Sequence, residues 1–204
     1  MELRKPISPR VGYCGEELRR FKLMRESGLP ERLTFKFEKI PHTSFPYDFM
    51  PYLPASALLK GNQTEECVVF FGESAFRRIW GPNKTRRFVE VGEVVDVTQS
   101  EYQLLPEFAT KLYLGGENAM GGTYFSLSMR DGNVFYYSLG GILDFVTYPP
   151  GYRKEDVVGV RKGIPSELRS KVSGKILGHP PYAWCLYKES SEILAKLKDE
   201  SPKL

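Results

Sequence analysis

A chain of 204 residues, 41% hydrophobic and 26% charged, is long enough to bury a sizeable core, and its 13 Phe, 12 Tyr and 2 Trp exclude a disordered chain. A formal net charge of +4 is too mild to imply a nucleic-acid partner by itself. No run approaches the roughly 18 apolar residues of a membrane span, and Met1–Pro6 lack the apolar core of a signal peptide, so no membrane partner is expected.

The first 15 residues read as irregular. Leu18, Phe21 and Leu23 or Met24 give one apolar side to a short helix over about 16–27, and Gly28 suits the position just past its end. Arg32 to Glu38 alternates, with Leu33, Phe35 and Phe37 inward, which predicts a half-exposed strand. Residues 41–54 carry Pro41, Pro46, Pro51 and Pro54 among aromatic residues. That density argues against a regular helix or central strand and for a strapped-down loop or a binding surface. Ala55 to Lys60 reads as one helical turn. Glu66 to Phe71 is an apolar run and predicts a buried strand.

Phe88 to Val97 predicts a strand bent at Gly92. Thr98 to Glu101 has the form of a capping box, and Pro106 fits the first position of a helix over 106–114, ended by Gly115-Gly116. Next comes the organising feature, two alternating runs around Asp131-Gly132 over 123–139, read as a β-hairpin. A two-residue loop pairs Met129 with Val134, Leu127 with Tyr136 and Phe125 with Ser138. A three-residue loop with a bulge would instead turn Phe135 and Tyr137 onto the core face. The two-residue loop is the expectation.

Ile142 to Thr147 looks strand-like and stops before Pro149. Residues 156–160 and 182–187 predict strands, and 164–172 a helix. Ser190 can cap a last helix with Ile193, Leu194 and Leu197 inward. Strands and short helices follow no βαβ order, so the class is α+β. A twisted, mainly antiparallel sheet is centred on the 123–139 hairpin, with short helices packed on it. The chain reads as a single domain, 1–204, in which residues 1–60 form an N-terminal extension on the core or part of it.

No phosphate-binding loop, dinucleotide fingerprint, nucleophile elbow or zincin motif is present. The glycines between Gly115 and Gly122 follow a predicted helix, so they suit a cap and turn better than a phosphate cradle. Three widely spaced cysteines form no disulfide framework and favour a reducing, cytoplasmic setting. Cys14, Cys67, Cys185, His42 and His179 include no short-spaced metal pair, so neither metal nor cofactor is expected. Cys67 and Cys185 lie in apolar strands and read as buried, inert thiols. Cys14, near the start of the first predicted helix, is the candidate nucleophile for a thiol enzyme, with His42 or His179 as base. The acids Glu16 and Glu17 work against a thiolate there.

Arg77, Arg78, Trp80, Lys84, Arg86 and Arg87 fall within eleven residues and make a candidate single-strand nucleic-acid contact. The competing reading is a solvated turn with Trp80 packed inward. Asp144 lies amid Leu143 and Phe145, so it is either an outward residue or a buried acid of interest. Rigid aromatic area around Tyr47, Tyr52, Tyr148 and Tyr152 suits a binding surface. The leading expectation is therefore a non-enzymatic binding or protein-interaction module, with a protein partner ahead of nucleic acid. A hydrolase or thiol-dependent enzyme is the alternative.

Overall fold

The computed structural model describes residues 24–43, 52–81, 86–163 and 176–199. Among them, strands assemble into two four-stranded sheets. The first holds β1 (Leu53–Leu59), β2 (Thr64–Gly72), β3 (Val94–Thr98) and β8 (Ala183–Tyr187), in the order β3-β1-β2-β8. The second holds β4 (Thr123–Met129), β5 (Val134–Leu139), β6 (Val157–Lys162) and β7 (Ile176–Leu177), in the order β6-β4-β5-β7. Only β2–β8 and β5–β7 pair in parallel. Helices α1 (Glu31–Phe37), α2 (Glu73–Trp80), α3 (Pro106–Leu114) and α4 (Ser191–Asp199) complete an α+β fold with mainly antiparallel pairing, as the sequence predicts.

The hairpin forms where Asp131-Gly132 places it, but with the longer loop. Phe125 opposes Tyr137, Ser126 opposes Tyr136 and Leu127 opposes Phe135, one residue away from the two-residue register. Gly132 donates to the Met129 carbonyl at 2.9 Å, and its φ of +88° gives the left-handed step of a three-residue bulged loop. Hydrophobicity explains the choice. The longer loop brings Tyr137 and Leu139 to the face that already holds Phe125, Leu127 and Met129, and all five are at most 1% exposed. The shorter loop would have put Ser138 on that face.

Sheet alternation then sorts the core. On one face of the first sheet Phe70, Ala55 and Cys185 pack with Leu33 and Phe37 of α1. On its other face Val69, Phe71 and Trp184 pack with Phe76 of α2 and Ile193 of α4. The inner face of the second sheet packs against Ala109 and Leu112 of α3. Ser190 caps α4 as expected, its Oγ accepting from the Ile193 amide at 3.4 Å.

Four local expectations are corrected. Residues 32–37 belong to a helix that Glu38 caps, with Leu33, Phe37 and Ile40 at i, i+4 and i+7 buried while Phe35 is 51% exposed. Residues 55–60 lie mostly in β1, an internal strand. Ala55 and Ala57 are small enough to lie fully buried in the cluster that holds Phe37, so packing overrides their weak strand preference. Pro54 is tolerated inside β1 because β3 pairing begins only at Ser56. Thr98 ends β3 instead of capping a helix, and Glu101 pairs with Lys154. Of the predicted 88–97 strand, Val91–Glu93 form a 3-10 turn at Gly92 and Val94 opens β3.

Residues 142–147 form no ladder. Ile142 and Phe145 enter the second-face cluster of the first sheet, while Leu143 and Val146 enter the core of the second sheet. The run is apolar because it threads a seam between two cores. Its amides find other acceptors: Val146 donates to the Tyr102 carbonyl at 3.0 Å and Leu143 to the Tyr113 hydroxyl at 2.9 Å. Of the helix predicted over 16–27, residues 24–26 are described and helical. The 164–172 helix lies outside the described residues.

Candidate functional site

An open cleft of about 570 Å³ lies beside the hairpin tip. Arg130 and Asp131 of the hairpin loop form one side. Pro150, Gly151, Tyr152 and Asp156 form the other. The second side is a tight turn in which the Tyr152 amide donates to the Pro149 carbonyl at 3.0 Å. Pro150 followed by Gly151 at φ +85° is the sequence a type II turn demands.

The sides are cross-braced. The Tyr152 hydroxyl donates to Asp131 Oδ2 at 2.6 Å, and Asn133 Nδ2 donates to the same oxygen at 2.8 Å. The Asn133 amide donates to Asp131 Oδ1 at 3.0 Å. These donors, the Tyr152 phenol first, hold the Asp131 carboxyl below its ordinary range, and the same bond raises the phenol. Arg130 donates from its backbone to the Asp156 carbonyl at 2.8 Å and from its guanidinium to the Glu155 carbonyl at 3.0 Å. The Tyr152 ring leans edge-on against Phe135 at 5.0 Å. Tyr148, from the same segment, turns inward and donates to the Gln103 carbonyl at 3.3 Å. Sequence reasoning picks out Tyr152, and Asp131 and Asp156 as carboxylates near glycines or strand ends, but misses Arg130 and Asn133. The turn residues around Asp131-Gly132 and Pro150-Gly151 carried the signal, because loops at one end of a scaffold are where recognition groups gather.

Asp144 proves to be a buried acid. It lies fully buried in the seam, and its Oδ2 accepts from Tyr52 at 2.8 Å and from Tyr113 at 2.5 Å. Tyr52 is itself 1% exposed, so its hydroxyl serves this knot and its ring offers no surface. Burial, and then the Asp144 charge, push both phenols well above their ordinary value. Protonated phenols around a carboxylate make a structural clamp and leave no phenolate at neutral pH.

The basic stretch is largely occupied. Arg77 pairs with Glu73 at 2.6 Å and Arg87 with Glu65 at 2.5 Å. Trp80 is half-buried against Phe71, Phe76 and Trp184, and the Arg86 guanidinium lies over three of these rings. Arg78 is exposed on α2. Lys84, Tyr47 and Cys14 lie outside the described residues.

The two histidines serve opposite faces of the first sheet. His42 donates from Nε2 to the Phe37 carbonyl at 2.6 Å on the α1 side, while His179 packs against Tyr182 at 5.0 Å on the Trp184 side. Burial pushes the Cys67 and Cys185 thiols up to about 12, so both remain protonated and unreactive at neutral pH. Among the described residues no group of three or more His, Cys, Asp or Glu could hold a metal ion, and no helix is long and apolar enough to cross a membrane. No protein-family model matches the chain, and neither curated proteins nor solved structures yield a match.

Proposed function

We propose that the protein is a non-enzymatic protein-interaction module of the cytoplasm, and that it takes an extended segment of a partner protein in the cleft between Arg130–Asp131 and Pro150–Tyr152. One observation carries this reading. The cleft's side chains are locked to one another before any partner arrives, through the Tyr152–Asp131–Asn133 triangle and the Arg130 bonds to 155–156. A pre-ordered surface loses little entropy on binding, which favours recognition. Arg130 and Asp156 add opposite charges at the cleft, and Tyr152 adds an aromatic face. The free, protonated thiols of Cys67 and Cys185 fit a reducing compartment.

The test is a peptide-display selection on the full chain, counter-selected against the Arg130→Ala/Tyr152→Ala double variant. Arg130 is exposed and Tyr152 is half-buried against the core of the second sheet, so amide exchange at Leu127 checks that the double variant is folded. Enriched peptides are expected to bind the wild type and to lose at least tenfold in affinity on the double variant. Peptides that bind both proteins equally, or a library that yields none, would overturn the assignment of this cleft.

A further inference from the structure

Phe76, Trp80 and Trp184 form a three-ring cup. Their centroids stand 5.4, 4.8 and 4.7 Å apart, and the rings are mutually tilted by 40° to 68°. The Arg86 Cζ lies 5.3 Å from the Phe76 centroid and 5.7 Å from each indole. One cationic carbon is thus roughly equidistant from three ring faces, each carrying the negative side of its quadrupole. Tyr182 borders the cup, 6.1 Å from Trp184, and the Arg86 charge partly offsets the rise that burial gives its phenol.

The manner in which Arg86 is held is unusual. Among the described residues its guanidinium makes neither a hydrogen bond nor an ion pair, although Arg87 next to it is tied to Glu65 and Arg77 to Glu73. Its five N–H donors meet no acceptor there, so ring faces alone hold the charge. Phe76 and Trp184 are 2% and 1% exposed, whereas Trp80, Tyr182 and Arg86 are half-buried, so the mouth of the cup reaches the surface at Arg86.

We propose that Phe76, Trp80 and Trp184 form a receptor for a quaternary ammonium group, in which Arg86 sits as a displaceable internal occupant. The chemistry follows from what the cup lacks. The neighbouring carboxylates Glu65 and Glu73 are engaged, so nothing replaces the water stripped from a strongly hydrated lysine ammonium. A quaternary ammonium has no N–H to satisfy and is weakly hydrated, so ring faces suffice for it. This site is separate from the cleft beside the hairpin and does not depend on it.

The experiment titrates the full chain with tetramethylammonium chloride at constant ionic strength, following the indole N–H resonances of Trp80 and Trp184. Ammonium chloride serves as the control. Saturable shifts are expected with tetramethylammonium and none with ammonium. Arg86→Gln keeps the stem over the rings but removes the resident charge, and is expected to bind at least tenfold more tightly than the wild type. Arg86→Lys, a more hydrated occupant, should fall between them and serves if the glutamine variant does not fold. Trp80→Ala should lose binding. A folded Arg86 variant without saturable shifts, or equal responses to both cations, would overturn the proposal. Nε-trimethyl-lysine and phosphatidylcholine vesicles then separate a methylated side chain from a lipid headgroup as the source.

Discussion

Asp131 shows how one side chain carries two duties. It sits mid-way in the hairpin loop, and its carboxylate gathers the Tyr152 hydroxyl with the backbone and side-chain amides of Asn133. Because the folded carboxyl lies below its ordinary value, the bracing it contributes is fully present above about pH 3.9 and fades as pH falls through the depressed value. The Tyr152 phenol is raised, so its share is intact below about pH 10 and is lost as pH climbs through the folded value. Tyr152→Phe should therefore move the Asp131 carboxyl back toward the ordinary range in an NMR titration. An unchanged midpoint would mean that the phenol does not brace the cleft.

At the level of the element, the hairpin shows what local signals reach and where they stop. The turn dipeptide located the loop, and alternation located Phe125, Leu127 and Met129 on the inner face. Loop length was decided by the partner strand, since only the three-residue form buries Tyr137 and Leu139. The 32–38 segment failed differently. Leu33, Phe35 and Phe37 satisfy a strand period, while Leu33, Phe37 and Ile40 satisfy a helical one, and the packing of Phe37 against Phe70 at 4.9 Å selected the helix. For the hairpin, Leu127→Ala should cost about 2–5 kcal/mol in chemical denaturation, whereas Tyr136→Ala on the other face should cost clearly less. Equal losses would contradict the observed register.

Across the whole molecule, the two sheets communicate through the seam. Tyr52 stands just before β1, Tyr113 lies in the last turn of α3, and both hydroxyls meet at Asp144, so one carboxylate oxygen ties the two cores together. Tyr113→Phe removes a donor to a buried carboxylate and the acceptor of the Leu143 amide, and should destabilise the protein by about 1–3 kcal/mol. Trp184 fluorescence in the first sheet and amide exchange at Leu127 in the second should report the same loss. A change confined to one sheet would show that the seam does not couple them. Both phenols are raised, so the clamp holds below about pH 10 and weakens only as alkali reaches their folded values.

By itself the sequence determined the α+β class, the buried strand around Val68–Phe71, the helix opened by Pro106, the hairpin with its turn, and the cap at Ser190. Each rests on interactions spanning a few residues: a period, a proline's fixed φ, a glycine's positive φ, a hydroxyl facing an amide. Tertiary structure alone decided the division into two sheets, the helical state of 32–37, the strand at 55–59 and every candidate site. The partners of Asp144 lie 31 and 92 residues away along the chain, Tyr152 reaches Asp131 across 21, and Trp184 meets Trp80 only because β8 lies beside β2. Such pairings depend on which of many apolar surfaces are buried together, a choice made by the free energy of the whole chain and carried by no short stretch of it.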